Sequence, residues 1–142
     1  MNKKTIIIGV AVLLVCVGLS GCNEQGETFG DTNKVELVSY KVETYDGNTL
    51  LGEDFIHNEG ADNYRIKGTI KNIAGYKLSR VTITVKFYDK NNIFLDSVDE
   101  DVYGIPDTYT ESFSIRAYTG SWFNDIDEFN SVDSIKFEFT AS

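Results

Sequence analysis

The chain has 142 residues, of which 22 are acidic and 13 basic, giving a net charge of −9, and 13% are aromatic. After Lys3 and Lys4 no two basic residues are adjacent, so there is no Lys/Arg cluster of the kind that holds a phosphate backbone, and nucleic acid is excluded as a partner. One histidine and two cysteines leave few groups for triad, thiol or zinc chemistry.

The first segment, "MNKKTIIIGVAVLLVCVGLSGC", has a basic start, an apolar middle of about 15 residues and small residues at its end, which is the layout of a secretory signal. Its apolar run is on the short side of the roughly 17 to 25 residues that span a bilayer as a helix, and length alone leaves an uncleaved anchor open. Leu19, Ser20, Gly21 and Cys22 resemble the lipobox of secreted lipoproteins. That resemblance implies a diacylglyceryl thioether on Cys22 and cleavage before it. Residues 1–21 are therefore expected to be a signal peptide, and the membrane is the expected partner through the lipid on Cys22. Two acyl chains anchor firmly where one does not. The leader carries two lysines and no acid, so the chain left behind is more acidic still. Its surface repels anionic headgroups and leaves anchoring to the lipid. Cys16 leaves with the leader and Cys22 is consumed, so no disulfide is expected. Residues 22–33, "CNEQGETFGDTN", read as the lipidated cysteine and a flexible linker spanning roughly 18 Å.

From residue 34 to 142 the apolar period is two. "KVELVSYKVETY" sets Val38, Tyr40 and Val42 on one face, and "DNYRIKGTIKNI" sets Tyr64, Ile66, Gly68 and Ile70. "SRVTITVKFYD" alternates Val81, Ile83, Val85 and Phe87 with Thr82, Thr84, Lys86 and Tyr88. Asn91 and Asn92 then supply the positive φ of a hairpin. "NIFLDSVDEDVY", "YTESFSIRAY" and "SIKFEFTA" complete the set, with Phe113, Ile115 and Ala117, then Ile135, Phe137 and Phe139, aligned. Six or seven half-buried antiparallel strands with turn signals between them predict an all-β, immunoglobulin-like sandwich.

Residues 64–116, "YRIKGTIKNIAGYKLSRVTITVKFYDKNNIFLDSVDEDVYGIPDTYTESFSIR", resemble the FxLYD domain family. These are immunoglobulin-like sandwiches of secreted bacterial and archaeal proteins, often lipoproteins. The resemblance rests on Gly68 and Asn72 in "GTIKN", on "VKFYD", and on the proline turn from Pro106 to Phe113. The family's Phe and Leu are Val85 and Phe87 here, and its Pro-Gly-Glu turn is Pro106-Asp107-Thr108. The resemblance implies architecture and location and carries over no catalytic residue.

His57 stands in a polar connection from about Asp46 to Asn63 and reads as a solvated loop residue. Serines and acids occur without a nucleophile elbow, a phosphate-cradling loop or a histidine pair, so no catalysis and no cofactor is expected. Asp89, Asn91 and Glu100 match positions 1, 3 and 12 of a calcium loop. Ile93 and Phe94 at positions 5 and 6, and strand flanks, break that match, so no metal is assigned. The acids of "DSVDED" and "NDIDEF" read as solvated edges that discourage sheet-to-sheet association. Tyr118, Trp122 and Phe123 in "AYTGSWFNDIDEF" fall on a connection. There they are candidate binding rings for a glycan or an envelope protein, or else a cap on the open end of the core. The sequence thus points to a lipid-anchored extracytoplasmic binding module of the cell envelope. The alternative is a structural protein that packs against its surface neighbours without a small ligand.

Overall fold

A computed structural model of the chain describes residues 26–55, 60–119, 123 and 126–142. Among them are eight strands and one short helix. In chain order the elements are β1 (Gly26–Gly30), β2 (Val35–Asp46), β3 (Thr49–Glu53), β4 (Asn63–Asn72), β5 (Leu78–Asp89), β6 (Phe94–Ile105), β7 (Thr110–Tyr118), α1 (Ile126–Asn130) and β8 (Val132–Ala141). Two four-stranded sheets, ordered β1-β8-β5-β6 and β3-β2-β4-β7, face one another as an all-β sandwich. Every pairing is antiparallel except that of β1 with β8.

The alternation in β5 shows why the fold closes. Val81, Ile83, Val85 and Phe87 are fully buried, while Thr82, Thr84 and Lys86 between them are half-buried on the outer face. From the same sheet β8 adds Ile135, Phe137 and Phe139, and the opposite sheet contributes Tyr64, Ile66 and Ile70 of β4 with Phe113, Ile115 and Ala117 of β7. Rings meet across the gap: Tyr40 and Phe113 both set their edges toward Phe137, with centroids 5.0 and 6.1 Å apart. Burying one such side chain contributes about 1.5 to 3 kcal/mol, which makes this layer the main source of stability. Gly68 serves the packing by absence. A Cβ there would sit 2.5 Å from the Phe113 ring and 2.6 Å from the Ser39 carbonyl oxygen.

Several sequence expectations need correction. Residues 26–30 of the expected linker form β1, which pairs in parallel with Ile135–Phe139. The turn that follows is pinned as well: the Asp31 N–H donates to the Phe139 carbonyl at 2.8 Å, and the Asp31 carboxylate accepts the Ala141 N–H at 2.8 Å. Gly30 makes this approach feasible, with φ of 79° and a position where any Cβ would overlap the Phe139 carbonyl oxygen. Val38 does not share a face with Val42, because a bulge between Leu37 and Ser39 turns it outward to 51% exposure. The connection after Asp46 contains β3, a short edge strand paired with the end of β2. The connection after Tyr118 contains α1, whose Phe129 stacks on Tyr64 at 4.1 Å. The Asn91–Asn92 hairpin forms as its residues suggest, with Asn92 at φ 61° and the Asp89 carboxylate accepting the N–H groups of Asn91 and Ile93.

Candidate functional site

Of the expected binding rings, Tyr118 and Phe123 are among the described residues. Tyr118 ends strand β7 opposite Asn63 and is half-buried, its hydroxyl accepting a hydrogen bond from Arg116 Nη1 at 3.2 Å. Phe123 is 1% exposed and lies edge-on to Phe87 at 5.1 Å and to Phe129 at 5.4 Å, so it is part of the core and not a binding ring. The physical reason is packing: Phe123 meets the rings of Tyr64, Phe87 and Phe129 in one aromatic cluster. Trp122, His57, and the lipobox residues Leu19, Ser20, Gly21 and Cys22 lie outside the described residues. Asp89 is committed to its hairpin, and Glu100 faces Ile83 along β6, well away from it. Among the described residues no group of three or more His, Cys, Asp or Glu side chains is placed to hold a metal ion. Asp99, Glu100 and Asp101 line β6, an edge strand, where charge opposes strand addition.

The more organised display is at the opposite end of the sandwich, where the β4–β5 connection (73–77) and the β6–β7 connection (106–109) are locked together by Asn72. Its side chain is fully buried. Nδ2 donates to the carbonyls of Tyr76 at 2.7 Å and Ile105 at 2.9 Å, and Oδ1 accepts the Ala74 N–H at 2.9 Å. The Asn72 backbone donates to the Tyr109 carbonyl and accepts from Thr108, which stands at φ 70°. The Gly75 N–H, donated to the Asp107 carboxylate at 3.0 Å, adds a direct tie between the loops. With their backbones so fixed, the loops turn Ile73, Tyr76 and Tyr109 outward at 42%, 52% and 62% exposure, and Tyr103, within β6, is 65% exposed. Tyrosines on a rigid frame offer large amphipathic contact area at low entropic cost. The sequence carried a signal for the frame, Asn72 and Pro106, but none for which rings it would expose.

A second feature is a shallow groove of about 620 Å³ on the outer face of the β2-β4-β7 sheet, lined by Ser39, Lys41, Lys67, Thr69, Ser112 and Ser114 among others. Below its lysines lies Glu43, buried, 2.8 Å from Lys67 Nζ and 3.8 Å from Lys41 Nζ. The Tyr45 hydroxyl donates to the other Glu43 oxygen at 3.1 Å. The hydrogen bond from Lys67, with help from Tyr45, holds the Glu43 carboxyl below its usual range against the cost of desolvation. The ammonium of Lys67 is correspondingly raised. Glu43 thus consumes part of the groove's positive charge, and the pair braces β2 against β4.

Comparison of the chain with protein-family models and with curated proteins finds no match.

Proposed function

We propose that this protein is a lipid-anchored, extracytoplasmic interaction module of the cell envelope that presents the Asn72-locked loops to a protein or glycan partner and performs no catalysis. The lipobox-like Leu19-Ser20-Gly21-Cys22 supports the anchoring. The binding role rests on one observation: Tyr76 and Tyr109 are exposed, with Ile73, on two loops that a fully buried asparagine ties together. Preorganised aromatic contact area is what a binding surface needs and what folding alone does not call for.

The direction of the chain fits this use. The N-terminal strand β1 begins at the end of the sandwich where β8 starts, since Gly26 pairs with Ile135 in parallel register. The tyrosine loops sit at the other end, so an anchor at Cys22 leaves them facing away from the bilayer.

The test is photo-crosslinking in intact cells, with benzoylphenylalanine in place of Tyr76 or Tyr109 and, as control, of Thr82 on the outer face of β5. A discrete adduct from positions 76 and 109 that is absent at 82 is the expected result. Adducts of equal yield from all three positions would show that the loops have no special partner.

A further inference from the structure

We propose that the tip of the β5–β6 hairpin, Ile93 and Phe94, is a second, non-covalent membrane contact that seats in the same bilayer as the lipid on Cys22 and fixes the orientation of the domain. The inference rests on the lipid-anchor reading of Cys22 and adds to it a site on the folded domain.

It starts from register. Gly26 pairs with Ile135, and Ile135 pairs with Phe87, so the start of β1 is level with Phe87. Beyond that level β5 continues through Tyr88 and Asp89 into the turn at Lys90 and Asn91, which places the hairpin tip roughly 10 to 13 Å further out at strand rise. Because β1 is parallel to β8, and β5 antiparallel to it, the start of β1 and this hairpin point the same way. Only four residue steps separate Cys22 from Gly26, and they span at most about 14 Å when fully extended. A lipidated Cys22 therefore cannot hold the bilayer surface much beyond the hairpin tip. With β1 folded into the sheet, the long tether expected from the sequence does not exist.

The chemistry of the tip suits that neighbour. Ile93 is 58% exposed and Phe94 52% exposed, adjacent and unshielded, with the Phe94 ring braced edge-on against Tyr88 at 5.9 Å. An aliphatic and an aromatic residue at a loop tip match the boundary between headgroups and acyl chains. Between residues 90 and 94 the single charge is Lys90, which favours anionic headgroups. The nearest acid, Asp89, turns its carboxylate back onto the N–H groups of Asn91 and Ile93 at 2.8 and 2.9 Å. Asp133 lies behind the tip, next to Val132, which pairs with Asp89. With Asp127 and Glu128 on α1, which leads into the same end of β8, it confines the contact to the tip.

The experiment uses the full chain, expressed with its leader and reconstituted into phosphatidylcholine–phosphatidylglycerol vesicles containing doxyl-labelled lipid. Asn91→Cys and, at the opposite end, Thr108→Cys are each labelled with a thiol-reactive fluorophore. Quenching several-fold stronger at 91 than at 108, abolished by Ile93→Ser with Phe94→Ser while the protein stays on the vesicles, is the expected result. Equal quenching at the two positions on vesicle-bound protein would overturn the hairpin contact and leave the anchor standing. An unmodified Cys22 by mass spectrometry, together with loss of vesicle association, would instead overturn the anchor reading and this inference with it.

Discussion

Asn72 is where one side chain decides the geometry of the proposed binding surface. It satisfies the buried Ile105 carbonyl and two part-buried loop groups, the Tyr76 carbonyl and the Ala74 N–H, and a buried group left unpaired costs about 1 to 3 kcal/mol. Asn72→Ala is therefore expected to lower stability by roughly 3 kcal/mol, read as a fall in the midpoint of urea unfolding. Amide exchange should rise first at residues 73–77 and 106–109. Gly68→Ala acts at the next level of the same strand by overpacking. Its new methyl meets a ring and a backbone carbonyl, of which only the ring can move, so a cost of about 1 to 3 kcal/mol is expected. Glu43 gives the pH dependence. Its folded carboxyl lies below the ordinary value of 4.5, chiefly because Lys67 bonds the ionised form. The stability it supplies is therefore complete above the unfolded pKa and is lost as pH falls through the lower folded one. Melts of the parent and of Glu43→Gln should accordingly differ near neutral pH and converge in acid below 4.5. A gap that widened on acidification would mean that Lys67 is not the partner that matters.

At the scale of elements, the β5 register makes a sharp contrast. Phe87→Asp puts an unpaired charge between Tyr64 and Phe123 and is expected to unfold the domain, since such burial consumes most of a typical 5 to 15 kcal/mol. Lys86→Asp, one residue along and facing outward, loses a half-exposed pair with Glu138 at 2.6 Å, which is worth on the order of 1 kcal/mol or less. Circular dichroism after expression distinguishes the two. Strands of this kind were legible in the sequence because burial on one face writes an alternation into it, as in Val81 to Phe87 and Ile135 to Phe139. What escaped has a physical reason in each case. The β1 strand, "GETFG", holds its place by backbone pairing and by Gly30, and its residues 27–30 are exposed, so it carries no apolar alternation. Likewise β3 is short and lies at an edge. Val38 departs from the face its spacing predicts because a bulge shifts the face without changing composition. For Phe123 the sequence leaves binding ring and core cap both open, because a core residue outside a strand has no period to betray it, and its burial decides for the core. Tyr76 and Tyr109 owe their exposure to hydrogen bonds between loops distant in sequence, which spacing alone does not reveal.

The whole molecule is then a short pillar with two unlike ends. Twelve-residue strands such as β5 rise about 40 Å, so the tyrosine loops stand roughly that far from the hairpin tip. If a short tether and the tip together set the pillar on the bilayer, the loops are held at a defined height, which matters for a partner that is itself fixed in the envelope. Inserting twelve Gly/Ser residues between Cys22 and Gly26 tests this coupling, because it adds a flexible span of roughly 20 Å without touching the sandwich. Membrane association should persist, since the lipid is unchanged. Lipid quenching at position 91 should weaken, since the tip would no longer be confined to the surface and two exposed side chains bind a bilayer only marginally. Crosslinking from position 109 to a height-fixed partner should fall with it, while thermal stability stays the same. Quenching that survived the insertion would show that Ile93 and Phe94 hold the tip down unaided, and the short spacing from Cys22 to β1 would then have no orienting role.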